Sequence, residues 1–139
     1  MRTRVIVDTG PIVAFLNQRD HYHRWAVQEL SNLQPPLLTC EAVLSEACFL
    51  MRRFGDGARS VMELVRRGLI LTEFNLSDEV EPIDKLLAKY KDVPISLADA
   101  CLVRMSEQIS QSIVFTLDSD FRLYRKHGRQ VIPTRMPKT

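Results

Sequence analysis

Four carboxylates stand out by the company they keep. Asp8 closes a β-branched run, Arg4–Val7, and Asp118 follows a second apolar run, Ile113–Thr116. The carboxyl ends of strands are where an open parallel sheet binds its ligands, although each acid taken alone reads more readily as a turn residue or a helix N-cap. Glu46 has Ala42, Val43, Phe49 and Leu50 at helical neighbour spacing. That places it on an apolar stripe, where an ionised group is costly unless paired, and Arg52 and Arg53 are not spaced to pair with it. Asp99 has Ile95 before it and Leu102 and Val103 after it, again a side expected to be buried, although Ser96 to Asp99 also has the spacing of a capping box. Glu41 rivals Glu46, but in a first helical turn an acid simply complements the helix dipole.

Carboxylates that converge in one cleft repel one another unless a cation neutralises them. With no His or Cys in the set, the expected ion is hard and oxygen-seeking, Mg²⁺ or Mn²⁺ rather than Zn²⁺. Such a centre suits hydrolysis of a phosphodiester by water. Other chemistries fit poorly. His21-Tyr22-His23 has no third partner, Gly10-Pro11 belongs to no phosphate-binding glycine motif, and Asp8-Thr9-Gly10 is not the D-x-D of an aspartyl phosphotransferase.

The elements that must position these acids alternate along 139 residues, read as one domain over 1–139. Strands are predicted at Arg4–Val7, Leu37–Thr39, Leu69–Phe74, Ile113–Thr116 and Val131-Ile132. Helices are predicted over Pro11–Gln18, then to about Leu33, over Cys40–Phe54, Ala58–Arg67, to about Tyr90 from a cap at Ser77 or Asp78, from Pro94 or Ser96 to Ile109, and briefly at Phe121–Lys126. The helix ending near Tyr90 divides into a charged face with Glu79, Glu81, Asp84, Lys85 and Lys89 and an apolar face with Val80, Ile83, Leu86 and Leu87. Strands and helices in alternation predict an α/β domain with a mostly parallel sheet covered on both faces.

Composition narrows the class further. At 45% hydrophobic and 26% charged the chain is an ordinary globular one, not a rod, a disordered tail or a disulfide scaffold. Its odd three cysteines, Cys40, Cys48 and Cys101, sit among apolar residues and read as reduced thiols in a cytoplasmic protein. No apolar run suits a membrane span, and Asp8, Gly10 and Pro11 interrupt a start that otherwise looks like a signal peptide. The net charge of +2 conceals a tail, residues 121–139, of +6 and a body, residues 1–120, of −4. A basic edge beside an acidic body can serve a polyanion.

In these motifs the sequence resembles the PIN-domain family, and its VapC toxin branch in particular. Val5-Ile6-Val7-Asp8-Thr9-Gly10-Pro11 is similar to the family's opening, Ala42-Val43-Leu44-Ser45-Glu46 to its second acid, Pro94-Ile95-Ser96-Leu97-Ala98-Asp99-Ala100 to its third, and Phe115-Thr116-Leu117-Asp118-Ser119-Asp120-Phe121 to its last acidic block. The motifs run in family order over nearly the whole chain. The resemblance implies a compact three-layer α/β/α fold and a metal-dependent ribonuclease, usually dimeric, held inactive by a VapB-type antitoxin. It implies that Asp8, Glu46, Asp99 and Asp118 hold Mg²⁺ or Mn²⁺, with Asp120 an alternative fourth ligand, and that Thr9, Ser96 and Thr116 orient ligands or water. Arg122, Arg125 and Arg129, with Lys126, are expected at the rim to bind RNA. Val61, Leu64 and Val65, with Leu50 and Phe54, are candidate surface for a partner or a second copy. The alternative is a catalytically silent PIN-fold module that binds RNA or protein.

Overall fold

The computed structural model describes residues 2–138. Its elements are β1 (Arg4–Val7), α1 (Thr9–Leu16), α2 (His23–Ser31), β2 (Leu37–Thr39), α3 (Glu41–Leu50), α4 (Gly57–Arg66), β3 (Ile70–Thr72), α5 (Val80–Lys89), α6 (Leu97–Gln108), β4 (Ser112–Phe115), β5 (Arg125–Lys126), β6 (Gln130–Val131) and β7 (Thr134–Arg135). Five strands form one parallel sheet in the order β3-β2-β1-β4-β7. Apolar β-branched residues make β1 and β4 the buried centre of that sheet, as strands covered on both faces require. Ile6, Val7, Val114 and Phe115 are all essentially inaccessible.

Side chains alternate across the sheet, and the alternation sorts the helices into layers. Val7, Leu37 and Ile70 share a face with Ile12 of α1, Leu30 of α2 and Leu64 of α4. Leu38 faces the other way, toward Met105 of α6. The result is the expected three-layer α/β/α arrangement with a parallel central sheet. Among the described residues no helix is long and apolar enough to cross a membrane.

Several predicted elements shift for identifiable reasons. Helix α1 begins at Thr9 instead of Pro11, because Asp8 itself takes the N-cap position. Helix α3 ends at Leu50 rather than Phe54, and a turn through Met51–Phe54 leads into α4. Gly57 opens α4 where a Cβ would collide with the Met51 carbonyl oxygen, so the glycine permits a close backbone approach. The short helix predicted at Phe121–Lys126 is instead a 3₁₀ turn, Ser119–Arg122, followed by an antiparallel hairpin, β5–β6. His127 and Gly128, at φ 52° and 82°, reverse the chain there. The strand predicted at Val131-Ile132 splits. Val131 belongs to β6, while the edge strand of the main sheet is β7, beyond Pro133. Proline cannot donate to a ladder, but it can accept at an edge, and the Pro133 carbonyl takes the Val114 N–H at 2.9 Å.

Two face assignments also change. Val80, predicted on the apolar side of α5, is exposed, and Glu79, predicted to face solvent, pairs with Arg104 at 2.6 Å. Val61 is core rather than partner surface, and Leu64 and Val65 pack against that core. Leu50 and Phe54 are exposed as expected, joined by Phe49 and Met62.

Candidate metal centre at the carboxyl ends of β1 and β4

The register of the two central strands builds the site. Val7 lies opposite Phe115, so the next residues, Asp8 and Thr116, emerge side by side at the carboxyl end of the sheet. The Asp8 N–H donates to the Phe115 carbonyl at 2.9 Å. The Thr116 hydroxyl donates to Asp8 Oδ2 at 2.6 Å and accepts the Asp118 N–H at 2.9 Å. Asp8 Oδ1 accepts the Thr9 N–H at 2.8 Å. Both oxygens of a buried carboxylate are thereby held, as burial of a charged group demands.

The other acids come from three further elements. Thr9 Oγ1 donates to Glu46 Oε1 at 3.0 Å, which brings α3 to the same end of the sheet. Ser96 caps α6 by accepting the Asp99 N–H at 3.0 Å, so Ser96 acts here as a helix cap. Asp99 Oδ2 accepts the Tyr124 hydroxyl at 3.0 Å. Asp118 Oδ1 accepts the Asp120 N–H at 2.9 Å in the turn after β4.

Glu46 is a correction in its reason. It is not on a buried stripe: Val43, Leu44 and Ala47 form the core side of α3, whereas Glu46, Phe49 and Leu50 are exposed. What draws it to the site is the Thr9 hydroxyl. Asp99 is half-buried, as its neighbours suggested. Glu41 is exposed on the first turn of α3.

The acids feel one another. Burial pushes the Asp8 carboxyl up. The hydrogen bonds from Thr116 and Thr9 oppose that rise, and the charges of Asp118 and Glu46 add to it. Asp99 is pushed up to about 7, first by burial and then by the charge of Asp8; Asp118 and Glu46 add to this, while the Tyr124 hydrogen bond opposes it. Asp120 and Asp118 both raise the Tyr124 phenol, after the larger effects of burial and Asp99. Mutual repulsion links Asp8, Glu46, Asp99 and Asp118 into one electrostatic unit. Among the described residues, no three His, Cys, Asp or Glu side chains already have ion-holding geometry. The donor set itself is all oxygen and anionic, which fits a hard divalent cation.

The basic segment divides. Arg122 and Arg129 are exposed, but Arg125 Nη1 is turned inward onto the carbonyls of Arg122, Leu123 and Tyr124 at 2.7, 3.2 and 3.1 Å, and Lys126 is buried. Tyr124, which donates to Asp99, lies outside the candidates that the sequence offers. Its only signal is the three-residue spacing from Phe121, which does set two aromatic rings together in the core.

Comparisons with known proteins agree with this architecture. A family model of the PIN domain matches residues 5–127, a span that contains all four acids. The fold is similar to the crystal structure of VapC20 from Mycobacterium tuberculosis, described as a sarcin–ricin loop cleaving toxin. The TM-score is 0.76 at 24% identity, over 93% of this chain and 99% of that one. Among curated proteins no sequence matches. With most of its length matched by the family model, and a parallel sheet that brings acids to its carboxyl end, the chain belongs to the PIN-domain family.

Proposed function

We propose that this protein is a metal-dependent endoribonuclease of the VapC type, with Asp8, Glu46, Asp99 and Asp118 as the residues that hold Mg²⁺ or Mn²⁺. The observation that carries the proposal is the convergence of acids at the carboxyl ends of β1 and β4, where Thr9 and Thr116 tie Glu46 and Asp118 to Asp8 and the same neighbouring charges weigh on Asp8 and Asp99. A cation among them would relieve that repulsion. When bound, the ion supplies Lewis-acid activation of water and of the scissile phosphate.

The chain's own groups divide the remaining work. Thr116 and the Thr9 N–H fix both oxygens of Asp8. The Thr9 hydroxyl holds Glu46, and Ser96 fixes the start of the helix that carries Asp99. The Asp118–Asp120 turn presents two further carboxylates, of which Asp118 is the one whose charge reaches both Asp8 and Asp99. Arg122 and Arg129 are free to bind RNA phosphates, since an acidic cleft alone repels a polyanion. As a VapC-type toxin the protein would act in the cytoplasm, be held by a VapB-type antitoxin, and pair with a second copy through Phe49, Leu50, Phe54 and Met62. Those four exposed apolar residues support the pairing. An open apolar groove of about 330 Å³ between α1, α2 and α4 supports the antitoxin.

The test is cleavage of RNA in Mg²⁺ or Mn²⁺ against cleavage in excess EDTA, with Asp8→Asn alongside. Loss of cleavage in EDTA and in the variant is expected. Cleavage that survives either condition rejects the mechanism. Metal-dependent stabilisation without any cleavage selects the silent binding module instead; ligand at a hundred times its dissociation constant adds about 2.7 kcal/mol.

A further inference from the structure

The segment that follows the last acidic turn sends a phenol back into the site. Tyr124 is completely buried, and its ring packs edge-on against Phe121 at 5.2 Å and against Tyr90 at 5.1 Å between centroids. Its hydroxyl reaches Asp99 Oδ2 at 3.0 Å. The ring has little freedom to move. Tyr90, beside it, has its own hydroxyl occupied by the Arg125 N–H at 2.9 Å. The hairpin beyond is fastened to both neighbouring helices, by Lys89 Nζ to the Gly128 carbonyl at 2.9 Å and by the His127 N–H to Glu107 Oε2 at 2.7 Å.

Packing alone does not call for the hydroxyl. A phenylalanine would fill the same space between Phe121 and Tyr90, and a buried hydroxyl is costly unless it finds a partner. The partner it finds is one oxygen of one acid. That acid is already constrained at its backbone, where the Asp99 N–H donates to Ser96 Oγ. Ser96 therefore fixes the backbone that carries Asp99, and Tyr124 fixes the end of its side chain. A donor on Oδ2 leaves Oδ1 to be offered elsewhere.

We infer that Tyr124 is a positioning residue: its hydroxyl holds Asp99 Oδ2 so that the carboxylate presents its other oxygen to the divalent cation. The inference rests on the reading of the four acids as a metal centre. Groups that orient a metal ligand from behind commonly govern affinity as strongly as the ligand's own environment does.

The experiment is Mn²⁺ titration calorimetry on the full chain without RNA, comparing wild type with Tyr124→Phe, Tyr90→Phe and Asp8→Asn, followed by cleavage kinetics at limiting and saturating Mn²⁺. Tyr124→Phe should weaken Mn²⁺ by roughly tenfold to a hundredfold. Tyr90→Phe, which alters the same aromatic cluster without touching Asp99, should bind Mn²⁺ as wild type does. Saturating Mn²⁺ should restore the kcat of Tyr124→Phe with KM for RNA unchanged, a rescue that a purely structural defect would not show. Wild-type Mn²⁺ affinity in Tyr124→Phe overturns the inference, and equal weakening in both tyrosine variants reduces it to packing. If wild type and Asp8→Asn bind Mn²⁺ alike, or neither binds it, the metal-centre reading has failed and the role of Tyr124 falls with it.

Discussion

Replacing Asp99 by asparagine should stabilise the metal-free protein, and the gain should depend on pH in a defined way. The folded protein raises Asp99 from 3.8 to about 7, mainly by burial and by the Asp8 charge. Between those values the folded form keeps a proton that the unfolded chain has released, so stability falls as pH rises through the window and the whole penalty is present above it. Each unit is worth about 1.4 kcal/mol in principle. Asp99 is only half-buried, and solvent screening reduces the sum to about 1–2 kcal/mol. Asparagine keeps the shape, can still accept from the Tyr124 hydroxyl, and has no proton to release. In EDTA the melting temperature of Asp99→Asn should therefore exceed that of wild type by roughly 3–7 °C near pH 8. The interval should shrink toward zero as the pH approaches about 4. Differential scanning fluorimetry across that range measures it. A constant interval at all pH values, or a variant that melts below wild type at alkaline pH, would refute the account of mutual repulsion. The same variant should cleave no RNA, so stability and activity are expected to move in opposite directions.

Four other perturbations test the site and its surroundings separately. Thr116→Val removes the donor to Asp8 Oδ2 and the acceptor of the Asp118 N–H in a wholly buried place; chemical denaturation should show a loss of about 2 kcal/mol or more, and a neutral result would mean that the hydroxyl is dispensable. Changing Arg122 and Arg129 to Gln should weaken RNA binding and flatten the log–log salt dependence by ~0.7 per lost contact, measured by filter binding. Arg125→Gln should leave that slope alone, because Arg125 is occupied by backbone carbonyls; an equal effect would show that it swings outward to RNA. Phe49→Glu together with Leu50→Glu, both at exposed positions, should abolish the proposed pairing and leave a monomer in sedimentation velocity, and an unchanged sedimentation coefficient removes this face from the assembly.

How much of this was legible in the sequence depended on whether a signal was local. The ends of β1 and β4 were marked by β-branched runs followed by Asp8 and Thr116–Asp118, and those junctions fall at the carboxyl end of the sheet. Ser96 announced its cap by spacing alone. Glu46 lacks the burial that its apolar neighbours predict, because a 3.6-residue period shows which residues share a stripe but not whether that stripe faces the core. Phe49 and Leu50 face solvent, and the pattern of α3 gave no warning. The region after Asp120 was the least legible. Basic residues and Gly128 were compatible with a short helix, whereas the hairpin that forms depends on pairing between Arg125 and Val131 and on anchors from α5 and α6. Tyr124 meets Asp99 from 25 residues away, a contact that no window of sequence displays.

The bond between Thr116 and Asp8 spans 108 positions of the chain, and that interval has a meaning in time. A ribosome adds roughly 5–20 residues per second, so Asp8 waits on the order of 5–20 seconds for the hydroxyl that steadies it. The edge strand that takes the Thr116 N–H onto the Arg135 carbonyl is made later still. For most of that interval β1 has only β2 of its two strand neighbours, and the helix that carries Asp99 is complete only once Gln108 has been added. A site assembled in this order cannot gather its acids until the chain has passed Asp118, so the first acid to be made is among the last to be steadied.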